Sequence, residues 1–135
     1  MPSPTARSLK YYRDQGFMAA VVEKWIQARH IRMDLFGVFD LLIVKPNEFW
    51  GVQCSTMSHI PERIRKMKDS ALFSQWILFG GKAAVLGWAK QGARGKRKIW
   101  TSKEQVYNPV SKEFEEHVKD KDSEGNPAEQ APYFP

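Results

Sequence analysis

Apolar residues come in two runs between Asp34 and Ser55, in the stretch D-L-F-G-V-F-D-L-L-I-V-K-P-N-E-F-W-G-V-Q-C-S. Val, Ile, Leu, Phe and Trp in two runs separated by Pro-Asn predict a β-hairpin. Its first arm is Leu35 to Lys45, its turn Pro46-Asn47-Glu48 and its second arm Phe49 to Ser55. Gly37 inside the first arm predicts a bulge or a close approach of other groups. Before the hairpin, Thr5 to Gln15 reads as a helix, with Ser3 or Thr5 as cap, Pro4 in the first turn and Gly16 as its stop. Phe17 to Ile26 reads as one strand, and Gln27 to Met33 as a polar, basic connection.

After the hairpin, Ile60, Ile64, Met67, Ala71 and Trp76 trace a stripe at helical spacing. One helix from Pro61 to Phe79 is predicted, ended by Gly80-Gly81. Lys82 to Ala89 is apolar almost throughout, which fits a strand covered on both faces. A glycine-punctuated basic loop, Lys90 to Lys98, leads to a last edge strand, Ile99 to Val106. Glu113 to His117 reads as a short helical turn. The order gives an α/β domain with a mixed central sheet and flanking helices, over residues 1–110. Residues 111–135 read as an acidic tail, disordered beyond the helical turn because it holds too few apolar residues to fold.

Composition narrows the function classes. At 135 residues, with 42% hydrophobic content, the chain can build one core but not two. No apolar run reaches the length of a membrane helix, and no signal-peptide pattern opens the chain, so a cytoplasmic protein is expected. Cys54 is the only cysteine, which excludes an internal disulfide and a cysteine-built zinc site. The three histidines lack metal-ligand spacing. Net charge is +6, unevenly spread: residues 111–135 carry −4 and the first 110 carry +10. A body this basic predicts a polyanionic partner, nucleic acid first. Arg7, Lys10 and Arg13 share one side of the first helix, as a phosphate-contacting or simply solvated face.

Against that basic background, acids are few. Glu23, Asp34 and Asp40 fall in or beside the predicted central strands. Asp40 is flanked by Phe39 and Leu41-Leu42-Ile43-Val44, and a carboxylate buried there must be hydrogen-bonded, paired or bound to metal. Hard cations such as Mg2+ or Mn2+ take oxygen ligands from carboxylates, waters and phosphate. Asp40 and Asp34, the Gln53 side chain and the Cys54 backbone carbonyl are candidate ligands, with Glu23 beside them. Such a cation would polarise a phosphodiester and lower the pKa of an attacking water.

The run G-V-F-D-L-L-I-V, a short turn, and then G-V-Q-C-S resembles the core of the PD-(D/E)XK nuclease superfamily. The layout is similar to that of archaeal Holliday junction resolvases and small phage proteins, and the resemblance covers about residues 4–100. It implies a restriction-endonuclease-like fold and divalent-metal-dependent hydrolysis of DNA, including branched or junction DNA. Asp40 matches the motif aspartate. Gln53 stands where the second acid is usual, and Ser55 where the superfamily has its lysine. Lys66 or Arg63, on the next helix, would supply the missing charge, and Glu23 or Asp34 the missing acid. Arg32, Arg63, Arg65, Arg94, Lys96, Arg97 and Lys98 are the candidate DNA-backbone contacts. Cleavage of branched DNA at two symmetric positions implies a homodimer. Loss of the lysine and second acid leaves a catalytically inactive DNA-binding or regulatory protein as the alternative. A module whose basic face meets an acidic protein is a third reading.

Overall fold

The computed structural model describes residues 2–117. Helix α1 (Pro4–Asp14) is followed by β1 (Met18–Val21), then by a small hairpin of β2 (Lys24–Ile26) and β3 (Ile31–Met33). Strands β4 (Leu41–Lys45) and β5 (Glu48–Thr56) follow, then α2 (Ile60–Lys68) and α3 (Ala71–Leu78). The described chain finishes with β6 (Lys82–Gln91), β7 (Ile99–Asn108) and β8 (Glu113–Glu116). Six strands form one mixed sheet in the order β1-β4-β5-β6-β7-β8, and β2 and β3 pair only with each other. Among the described strands only β5 and β6 are parallel, joined by the α2–α3 crossover. The fold class is α/β.

Strand alternation puts a core on each face of this sheet. Leu41, Ile43, Val52, Cys54, Ala84 and Leu86 lie against Tyr12 and Leu9 of α1. Val38, Phe39, Ala83 and Val85 lie against Ile60 and Met67 of α2 and Phe73 of α3. The unbroken apolar run of β6 is therefore a strand with helices on both sides, as its sequence predicts.

Four expectations are corrected. Residues 17–26 are not one strand: β1 pairs with β4, while β2 turns away to pair with β3. The first hairpin arm starts at Leu41, because Leu35 to Phe39 close a tight turn in which Phe36 and Gly37 both take positive φ (57° and 71°). Gly37 is thus a turn glycine rather than a bulge. The helix expected over 61–79 breaks at Asp69-Ser70, where the Ser70 hydroxyl accepts from Phe73 N and starts α3. Residues 113–116 form β8 rather than a helical turn, and so β7 is not the sheet edge. Phe114 holds β8 in place against Phe73 and Tyr107, and Lys68 pairs with Glu113 at 2.9 Å. The expected disorder of the acidic tail concerns residues 118–135, which lie outside the described ones.

Phe39 fixes the start of β4. Its fully buried ring packs on Trp76 and Phe73 and lies over Gly51. A Cβ on Gly51 would stand 2.5 Å from that ring. Gly51→Ala is therefore expected to cost about 1–3 kcal/mol through overpacking, read from the urea unfolding midpoint. An unchanged midpoint would show that the ring can move.

Candidate metal centre

Asp40 stands at the end of β4 where the sheet meets the preceding turn, and it is 5% exposed. Its backbone N–H donates to the Val52 carbonyl at 2.9 Å. Its Oδ2 accepts from Cys54 N at 2.9 Å and from Gln53 Nε2 at 3.1 Å. Main chain and side chain are thus both tied to β5, which fixes the carboxylate's direction. Glu23, in the link from β1 to β2, and Asp34, just after β3, bring their carboxylates to the same point. One oxygen from each of Glu23, Asp34 and Asp40 lies within 4.8 Å of the others. The three acids that the sequence placed near the central strands do meet.

A cleft of about 320 Å3 opens over this cluster. Gln53, Arg32, Arg63 and His59 share its walls with the acids, and Ser3 to Thr5 at the start of α1 close one side. Arg32 reaches Glu23 at 3.7 Å. Arg63 also lines an adjoining hollow with Asp34, Gln53 and Lys66. Lys66 itself pairs with Glu62 at 3.5 Å on the helix surface. Of the two cations expected to stand in for the motif lysine, Arg63 is the one that borders the acid cleft. Arg65 lines neither hollow. Ser55 is buried, and its hydroxyl donates to the Thr56 carbonyl at 2.7 Å.

The basic loop is placed at the same end of the sheet. Thr56 at the end of β5 pairs with Trp88, and Lys90 pairs with Trp100. The β6–β7 connection, with Arg94, Lys96, Arg97 and Lys98 all exposed, therefore projects from the end where β5 delivers Gln53 and Cys54. The basic residues of α1 do not form a free phosphate face. Arg13 donates to the Ala19 carbonyl, Lys10 pairs with Asp14, and Arg7 lies 3.7 Å over the Trp100 ring.

His59 was not marked by sequence spacing. It faces the cleft with its Nδ1 3.0 Å from the Thr56 hydroxyl oxygen. Cys54 is the reverse case: burial pushes its thiol pKa well up, so it packs as an apolar residue and offers only its backbone. Among the described residues no helix is long and apolar enough to cross a membrane. The chain matches no protein-family model, no curated protein and no solved structure.

Electrostatics at Asp40 follow from this crowding. Burial raises its pKa to about 7, against the Cys54 N–H, with repulsion from Asp34 and Glu23 adding to the rise. Three carboxylates meet here, and the ion pair shown to one of them is that of Arg32 with Glu23 at 3.7 Å. Hard oxygen donors in that state suit a divalent cation, so the residues fit Mg2+ or Mn2+. Glu23, Asp34 and Asp40 would hold it, and Gln53 would do so after turning its amide oxygen inward. Binding of the cation requires ionised Asp40. Mn2+ affinity is therefore expected to fall about tenfold per pH unit below about 7 and to level off above it, as read by calorimetric titration.

The same pKa sets a stability effect of opposite sense in the metal-free protein. Folded Asp40 holds its proton more tightly than the unfolded chain, whose aspartates titrate near 4. Its contribution is fully present below that value and is lost as pH rises to about 7. Asp40→Asn keeps an acceptor for Cys54 and cannot ionise. With chelator at pH 8 it is expected to be more stable than the wild type, by on the order of 2–4 kcal/mol, with the gap nearly closed at pH 4. Thermal unfolding at the two pH values checks this. A gap that is absent at pH 8 would mean that Asp40 ionises without penalty.

Proposed function

We propose that this protein is a divalent-metal-dependent nuclease that hydrolyses DNA phosphodiester bonds, on a restriction-endonuclease-like core. The observation that carries the reading is the convergence of Glu23, Asp34 and Asp40 within 4.8 Å, in a cleft bordered by Arg32 and Arg63. A bound Mg2+ or Mn2+ supplies positive charge to the phosphate and acidity to an attacking water. Asp40 and its two acidic neighbours hold that charge in place. Arg63 steadies the negative charge that develops on the phosphate, in the role that Lys66 was also expected to fill. Arg32 and the loop residues Arg94, Lys96, Arg97 and Lys98 grip the backbone on either side. Asp40 at the start of β4, beside the antiparallel β4–β5 pair, supports the PD-(D/E)XK reading, while Gln53 and Ser55 on β5 depart from its second acid and its lysine. Branched or junction DNA is the expected substrate form, cut by two copies acting as a symmetric dimer.

One observation favours a second reading. Ser55, at the lysine position, is buried and bonds to its own strand, so no charge is supplied from there. A protein that binds DNA at this cleft without cutting it would need none.

The test is cleavage of linear, nicked, flapped and four-way-junction DNA with Mg2+, Mn2+ or chelator. The nuclease reading predicts metal-dependent products that Asp40→Ala abolishes. Arg63→Ala is expected to slow cutting about 100-fold and Lys66→Ala far less, given the usual cost of losing one charge-stabilising group. Binding without cutting, alike in the wild type and Asp40→Ala, would establish the second reading instead.

A further inference from the structure

The β2–β3 hairpin has no described role in the core, since its strands pair only with each other. It leaves the body at Glu23 and returns at Asp34, so both its ends are members of the acid cluster. Residues 24–33 include Lys24, Arg29 and Arg32 and no acid. Trp25 is the large aromatic of this arm and is 50% exposed. Its indole N–H donates to Gln27 Oε1 at 3.0 Å, and His30 meets the ring edge-on at 6.2 Å, which steadies the ring without covering it. Trp25 pairs directly across the hairpin with Arg32. Opposed residues of an antiparallel pair share a face. The ring therefore stands beside the arginine that reaches Glu23 and lines the cleft.

We infer that Trp25 is a stacking platform for an unpaired base, and that the arm directs the cleft to DNA with a single-stranded stretch beside the scissile phosphate. The inference rests on the nuclease reading for the position of that phosphate. A duplex base has both π-faces occupied by its neighbours, so an indole can stack only on a base that is unpaired or at an end. An aromatic flanked by cations is the recurring surface for single strands, where each stacked base is worth roughly 1–3 kcal/mol. The positive charge of the arm fits the strand's phosphates, and an acidic or neutral partner would leave one of these two features unused.

The experiment is fluorescence anisotropy with the full chain, with Ca2+ in place of Mg2+ to limit cutting. The probes are a labelled single strand, the same sequence as a blunt duplex, and a duplex with a single-stranded overhang. Trp25→Ala is expected to weaken binding of the strand and the overhang about tenfold and of the blunt duplex less than twofold. Trp25→Phe, which keeps a ring, is expected to restore most of the loss. Equal losses on all three probes, no loss on any, or a change of oligomeric state in place of strand preference would overturn the inference. Metal-dependent cutting of the overhang duplex by the wild type, with no loss of strand binding in Trp25→Ala, would sink the stacking and leave the nuclease reading intact. Strand preference lost in Trp25→Ala, without any cutting by the wild type, would sink the nuclease reading and with it the placement beside a scissile phosphate, and leave only the stacking of an unpaired base on Trp25.

Discussion

Burying Asp40 is the constraint on which the rest of the site depends. A carboxylate at 5% exposure is costly unless its oxygens are bonded. Here the cost is offset by β5, which gives Oδ2 a backbone and a side-chain donor. That arrangement requires β4 and β5 to be in register at Leu41 opposite Val52. In that register the Phe39 ring seats over Gly51, where no side chain stands in its way. The Asp34 and Glu23 carboxylates then add to the cost rather than relieve it. Burial first, and then these two neighbours, raise the pKa of Asp40, and a positive charge from outside would relieve both.

The sheet topology concentrates opposite charges at one end. The parallel β5–β6 pair ends there, with Gln53 and Cys54 on one strand and the basic loop leaving the other. The β2–β3 arm adds Arg32 from the third side. Cations surround the acid cluster but do not fill it, apart from the Arg32–Glu23 contact. A polyanion can be attracted to such a rim while the acids repel it from the centre. A bound divalent cation would remove that repulsion, which links substrate approach to metal binding.

Much of this was legible in the sequence, for identifiable reasons. The Pro46-Asn47 turn and its flanking apolar runs marked the central hairpin, because turn chemistry and alternation are local signals. The isolation of Asp40 within an apolar run marked the site, and the scarcity of acids in the basic body singled out its two partners. What was missed was mostly non-local. Glu23 and Lys24 interrupt the apolar run after Val22, but an interruption alone does not say that β1 stays with the sheet while β2 leaves it, since each strand's partner lies elsewhere in the chain. β8 was hidden because a single apolar residue, Phe114, carries its packing in a glutamate-rich segment. The break between α2 and α3 rests on one capping serine within a continuing apolar pattern. His59 reaches the cleft by the turn after β5, a placement that no spacing rule describes.

Whether Glu23, Asp34 and Asp40 form one cation site is decided by crystals grown with Mn2+ and measured for anomalous scattering. A single strong peak is expected at bonding distance from Asp40 and at least one of its two acidic neighbours, absent from crystals of Asp40→Asn. A map with no peak there, or with manganese held elsewhere while Asp40 keeps its bonds to Gln53 and Cys54, would contradict that expectation.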